Sequence, residues 1–177
     1  MVHQPREADD LSSFHAYLLP RGPLVIPADV FYAGLHKVVP AAAGFITDPA
    51  GRVLLVKPNY RDHWGWPGGH VDEGESPEAA CGRELREELG LTLPVGPLLV
   101  VNWVDPLDDR PFPLVHFLFD CGTLADGDGI VLQKEELDGF GFFTAEEADA
   151  LMPSYLSARV RAAQTARTAG TVVYLAP

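Results

Sequence analysis

A mixed α/β or α+β fold is predicted for this chain, and three observations carry the prediction. Apolar runs of strand length recur from Val38 onward, separated by turns rich in Pro and Gly. A sharply bounded helix interrupts them at 77–89. A second helical period returns at 154–168, where Leu156, Val160 and Ala163 recur at helix spacing. Periodicity by itself leaves α/β and α+β both open.

Taken in order, residues 1–37 form an N-terminal extension, in which the apolar runs 14–20 and 24–26 read as an extra strand, the arm of a homodimer or a tail. The main domain occupies 38–177. Strands at 38–47 and 52–57 flank Asp48-Pro49-Ala50-Gly51, a turn composition, so a hairpin is expected. A loop at 58–69 carries Tyr60, Arg61, His63, Trp64 and Trp66 into the helix. That helix is punctuated at both ends: Ser76 suits the N-cap, Pro77 the first helical position and Gly90 a left-handed C-terminal residue. Strands follow at 98–104 and 113–121, the second alternating Val115, Phe117 and Phe119 against Leu114, His116 and Leu118. Short strands are expected at 130–133 and 140–144, then a helix at 145–151 capped by Thr144. Gly170 ends the last helix, and 171–175 reads as a closing strand.

Composition narrows the functional classes. A net charge of -12, with arginines scattered rather than striped, argues against nucleic acid as a partner. No apolar run reaches the roughly 20 residues a membrane helix needs, and the N-terminus lacks a secretory apolar stretch. Cys81 and Cys121 have neither metal nor redox spacing and read as reduced, buried cysteines of a cytoplasmic protein. His63, His70 and His116 likewise lack zinc-ligand spacing. What remains open is a small anionic substrate brought in by a cation.

The predicted helix carries the chemistry that would do so. Glu84, Glu87 and Glu88 stand at i, i+3 and i+4, within an arc of about 100° on one face. Like charges so placed repel, and a hard divalent cation among their oxygens relieves the repulsion. Magnesium or manganese suits such a carboxylate shell better than zinc. Cys81, Leu85 and Leu89 form the neighbouring apolar stripe that would anchor the helix to a sheet. Arg83 lies off that stripe, where its planar fork can clamp Glu75. A Glu/Arg-rich helix is more often a solvated, ion-paired face. Trp66-Pro67-Gly68-Gly69 ahead of it and the spaced Glu75 favour the functional reading.

From Gly69 to Leu91 the sequence resembles the signature of the Nudix hydrolase family, G-x5-E-x7-R-E-U-x-E-E-x-G-U, with Leu85 and Leu91 at the two aliphatic positions. The resemblance covers roughly 38–151 and implies a mixed sheet sandwiched between helices. It implies hydrolysis of a diphosphate linkage in a nucleoside diphosphate joined to another moiety, with Mg2+ or Mn2+ as cofactor. Carried onto this chain, it makes Glu84, Glu87 and Glu88 metal ligands, Glu88 foremost. The Gly69 carbonyl is a further ligand, and Arg83 and Glu75 orient the site. Some members take a general base from a downstream loop, and Glu136 in the acidic pair before Phe140 resembles that segment, as metal ligand or base; a solvated acidic loop is the other reading.

Substrate residues are less marked. Pro106, downstream of Leu91, stands where the family associates a proline with ADP-ribose hydrolysis. Trp66, with Trp64, Trp103, Phe112 and Phe45, can stack on a base or simply pack. Arg61 and Lys57 can meet phosphate or solvent. ADP-ribose-like compounds and noncanonical nucleoside triphosphates are the expected substrates. Two other functions stay open: a nucleotide-sensing module without catalysis, and non-nucleotide diphosphate chemistry such as prenyl diphosphate isomerisation.

Overall fold

The computed structural model describes residues 26–107, 110–125, 127 and 129–177. The chain divides into two compact units, Met1–Lys37 and Val38–Pro177. In the first, one short helix is described, α1 (Ala28–Ala33). The apolar runs 14–20 and 24–25, with the readings attached to them, lie outside the described residues.

The second unit is built on β1 (Val39–Thr47), whose apolar sequence is buried on both faces. β1 turns into β2 (Val53–Pro58) through the expected hairpin, where Asp48 and Arg52 exchange the Asp48 N–H to Arg52 C=O bond at 2.9 Å. The expected loop 58–69 instead ends in a strand, β3 (Gly68–His70), antiparallel to β1. Gly-Gly-His carries no strand propensity; the ladder to β1 recruits it. The sequence-predicted helix is α2 (Pro77–Leu89). Ser76 Oγ accepts the Ala79 N–H at 3.2 Å, and Gly90 closes the helix at φ 69°.

β4 (Leu98–Val104) and β5 (Leu114–Thr123) pair antiparallel, and β5 runs parallel to β1. β6 (Leu137–Phe143) starts earlier than expected and pairs with β2. Between them, residues 130–133 are not a strand. Their amides bond instead to the last carbonyls of α2, Val131 N to Leu89 O at 2.8 Å and Gln133 N to Glu88 O at 3.0 Å. Helix-end carbonyls have no intrahelical partner, and this apolar run supplies one. The short helix α3 (Ala145–Leu151) begins with a capping box between Thr144 and Glu147, and α4 (Ser154–Ala169) ends at Gly170. β7 (Val173–Leu175) pairs parallel with β4.

The sheet order is therefore β6-β2-β1-β5-β4-β7, with β3 added beside β1. One face packs Ala42, Ile46, Leu54 and Phe119 against Cys81, Leu85 and Leu89 of α2. The other packs Ala43, Phe45, Leu118 and Val100 against Ala148 of α3 and Val160 and Ala163 of α4. Cys81 and Cys121 are free and buried, with sulfurs 3.8 Å apart. No helix among the described residues is long and apolar enough to cross a membrane.

Candidate active site

Close packing fixes α2 before any carboxylate is aimed. A Cβ on Gly44 of β1 would lie 3.1 Å from both Leu85 methyls and press on them, so glycine here lets the helix lie near the sheet without displacing Leu85. The acidic edge of α2 is thereby set beside β3.

Glu88 is the innermost acid, 6% exposed, and its Oε2 accepts the Gly68 N–H at 2.8 Å. Burial pushes its pKa up to about 8; the Gly68 amide opposes this, and the charges of Glu84, Glu136 and Glu87 add to it. The amide points there because Gly68 adopts φ 145°, where a side chain would collide with the Ala42 carbonyl. Glu84 is half-buried, and burial raises its pKa against the pull of Arg83. It lies so close to Gly69 that a Cβ on that residue would run into its carboxylate. Glu87 is exposed.

Arg83 organises the cluster. Its Nε and Nη2 donate to Glu75 Oε1 and Oε2, each at 3.1 Å, in a bidentate clamp. Nη1 bridges Glu84 at 2.9 Å and Glu87 at 3.0 Å, and Nη2 also reaches the His70 carbonyl at 3.0 Å. The clamp pushes the Glu75 pKa down and holds the guanidinium charged. The loop from β3 to α2 is thus tied to the helix that follows it.

Glu136 is exposed in the turn before β6, and its charge acts on both Glu88 and Glu84. Its carboxylate accepts from Gln133 Nε2 at 3.3 Å, and its carbonyl accepts the Asn59 N–H at 2.9 Å. The Arg61 guanidinium lies 5.3 Å from the Tyr60 ring, and the Tyr60 phenol is within electrostatic reach of Glu88, Glu136 and Glu84. Arg61 therefore stands at the rim of the acid cluster.

Trp66 is elsewhere. It is 6% exposed, tilted against Phe45, and its Nε1 donates to Leu156 O at 3.1 Å, so the expected base-stacking role fails for want of an accessible face. Pro106 is exposed beyond the end of β4, beside a cleft lined by Trp103, Asp105, Leu107 and Tyr155 and by none of the glutamates.

Among the described residues, no three acidic, histidine or cysteine side chains already enclose a cation. Glu84 and Glu87 turn to Arg83, and Glu88 turns to Gly68. The donor set still fits a hard cation. Magnesium keeps several waters and needs only one or two carboxylates. The raised pKa of Glu88 reflects buried negative charge without a positive neighbour, which a cation beside the Gly69 carbonyl would supply.

Sequence reasoning missed Gly68, whose amide holds Glu88, and two buried polar residues on the opposite sheet face, Asn102 and Arg159, which lie with His116. Asn102 was visible as the polar interruption of the apolar run Leu-Leu-Val-Val-Asn-Trp-Val. Arg159 gave no signal, since arginine on a helix reads as surface.

Against known proteins, residues 37–163 match the family model of the NUDIX domain. An 8-oxo-dGTP diphosphatase of Haemophilus influenzae is 39% identical over 59 residues, 31% of this chain and 43% of that protein. The 8-oxo-dGTP diphosphatase of Proteus vulgaris is 36% identical over 86 residues, 46% of this chain and 76% of that one. Thus the chain spans less than half the length of the first of these relatives. Among solved structures, the MutT protein of Methanosarcina mazei has a TM-score of 0.63 at 20% identity, over 75% of this chain and 96% of that chain, a likeness of fold.

Proposed function

Because the chain belongs to the NUDIX domain family, we propose that it hydrolyses a diphosphate linkage in a nucleoside diphosphate derivative, with Mg2+ or Mn2+ as its cofactor. The observation that carries the reading is Glu88, a buried carboxylate surrounded by further acids at the edge of α2. Such a group is stable as an anion only beside a cation.

Glu88, Glu84, Glu87 and the Gly69 carbonyl would hold the metal. When bound, the ion neutralises the diphosphate oxygens and lowers the barrier to attack by water. Arg83 and Glu75 hold the β3–α2 loop and two of the glutamates in register. Glu136, open to solvent and next to the cluster, is our choice for the base that accepts the water proton. A phosphorus–oxygen bond forms to the water oxygen as the bridging one breaks, giving a nucleoside monophosphate and a phosphorylated second moiety. Arg61 at the rim would meet phosphate.

Noncanonical nucleoside triphosphates and ADP-ribose-like compounds are the substrates we favour, the first supported by the names of the curated relatives. We place the reaction in the cytoplasm, in keeping with two free buried cysteines. The test is product release from oxidised nucleoside triphosphates, ADP-ribose, nucleotide sugars and dinucleoside polyphosphates, with and without Mg2+, for the native chain and Glu88→Gln. Metal-dependent turnover lost in the variant supports the reading. Saturable binding without turnover of any compound would replace it with a nucleotide sensor.

A further inference from the structure

On the sheet face away from α2, four polar side chains form a row. His70 of β3 pairs with Ala41 of β1, Ala41 with His116 of β5, and His116 with Asn102 of β4. Paired positions share a face, and this one is the face covered by α4. His70 is exposed at one end, whereas His116 is 8% and Asn102 6% exposed. α4 adds Arg159, 2% exposed, whose Nε donates to Asn102 Oδ1 at 2.8 Å.

Two groups in this row lack what burial normally demands. Among the described residues no carboxylate pairs with Arg159, and its one hydrogen bond goes to a neutral amide. Burial pushes its pKa down to about 9. Among the described residues His116 Nδ1 is buried with no hydrogen-bond partner, in a ring kept neutral by burial and by the nearby Arg159 and His70. An uncompensated buried charge costs several kcal/mol, and unpaired buried polar atoms are rare. Asn102 has nothing to spare, because its Nδ2 already donates to Trp103 O at 3.0 Å and Leu175 O at 3.3 Å. It aims Arg159 and leaves the guanidinium Nη groups and His116 Nδ1 uncommitted.

We propose that Arg159 and His116, positioned by Asn102, form a second anion subsite that takes a phosphate or carboxylate on the part of the substrate remote from the hydrolysed diphosphate. A guanidinium fork takes two oxygens of such a group, and a neutral imidazole N–H takes a third. The assignment rests on reading Gly69 and Glu88 as the diphosphate site. His70 follows Gly69, and His116 lies two strands further on, about 10 Å away at ordinary strand spacing. The cleft at the Asn102 end of the row is lined by Trp103, Ser154, Tyr155 and Ala158. The substrate class is a diphosphate whose second moiety carries its own oxyanion.

The first readout is thermal unfolding of the metal-free full chain titrated with inorganic phosphate or acetate, since without metal the acid cluster repels anions. Saturating anion is expected to raise the native Tm by roughly 5 °C. Phosphate alone acting names a phosphate, and acetate acting names a carboxylate. Glu88→Gln should keep the shift and Arg159→Met should lose it. A native Tm unmoved by either anion, or an equal shift in Arg159→Met, overturns the subsite. Should Arg159→Met fail to fold, the His116 ring resonances of the native chain decide: movement on titration supports the site and no movement refutes it. With turnover established, Arg159→Met should raise KM about 10- to 100-fold for diphosphates bearing the second oxyanion and leave those without it unchanged. Absence of any turnover would fail the hydrolase reading alone, because the anion titration is read without metal.

Discussion

Arg83 and Arg159 sit on helices packed against opposite faces of one sheet, and their circumstances are opposed. Arg83 spends every N–H donor on Glu75, Glu84, Glu87 and the His70 carbonyl. Arg159 is more deeply buried, yet among the described residues it meets a single neutral amide. A saturated arginine is scaffold: it fixes where other groups point. A buried arginine with unspent donors is a request for a ligand. The same residue type thus marks the frame of the site on one face and a place for recognition on the other.

The largest effect expected is on the frame's innermost acid. Glu88→Gln should lower kcat by about 10³-fold, several kcal/mol of barrier, while far-UV circular dichroism stays native. Loss of helix signal in the metal-free variant would show that Glu88 also holds the fold. Removing the saturated arginine comes next. Arg83→Met leaves the half-buried Glu84 without its counter-ion and should cost on the order of 1 kcal/mol in urea unfolding, whereas Arg159→Met in the absence of anions should cost little or nothing. Equal costs would erase the contrast. Arg83→Lys should not restore the clamp, because an ammonium cannot span both Glu75 oxygens.

A third effect is carried by pH. In the metal-free fold Glu88 keeps its proton up to about pH 8, whereas an unfolded glutamate ionises near 4.5. Its contribution is therefore complete below pH 4.5 and is lost as the pH climbs through 8, a decline on the order of 5 kcal/mol. Unfolding free energies of metal-free protein across pH 5 to 8.5 measure it, and the slope should flatten in Glu88→Gln. The smallest effect on activity is at Trp66, whose N–H is already satisfied by Leu156. Trp66→Phe should cost about 1 kcal/mol and leave KM unchanged; a raised KM would return the residue to the substrate.

What the sequence disclosed followed from how local each signal was. α2 was legible to the residue because Ser76, Pro77 and Gly90 punctuate it, and its acids stand at fixed offsets on one surface. The hairpin of β1 and β2 was equally local. β3 was missed because its pairing to β1 comes from the tertiary fold and not from Gly-Gly-His. Residues 130–133 misled because an apolar run that caps a helix end is composed like a short strand. Trp66 looked available because a loop tryptophan gives no hint that Leu156, far along the chain, accepts from it. The row from His116 to Arg159 joins three separate elements, and no spacing rule reaches across them.

The bonds from Val131 and Gln133 to the end of α2 have a practical consequence for protein engineering. They act as an anchor point downstream of the connection that leaves β5, so the turn bearing Glu136 takes its position from the helix and not from the linker before it. Redesign of the C-terminal end of α2 should therefore displace that acid, even with every side chain of its own turn kept.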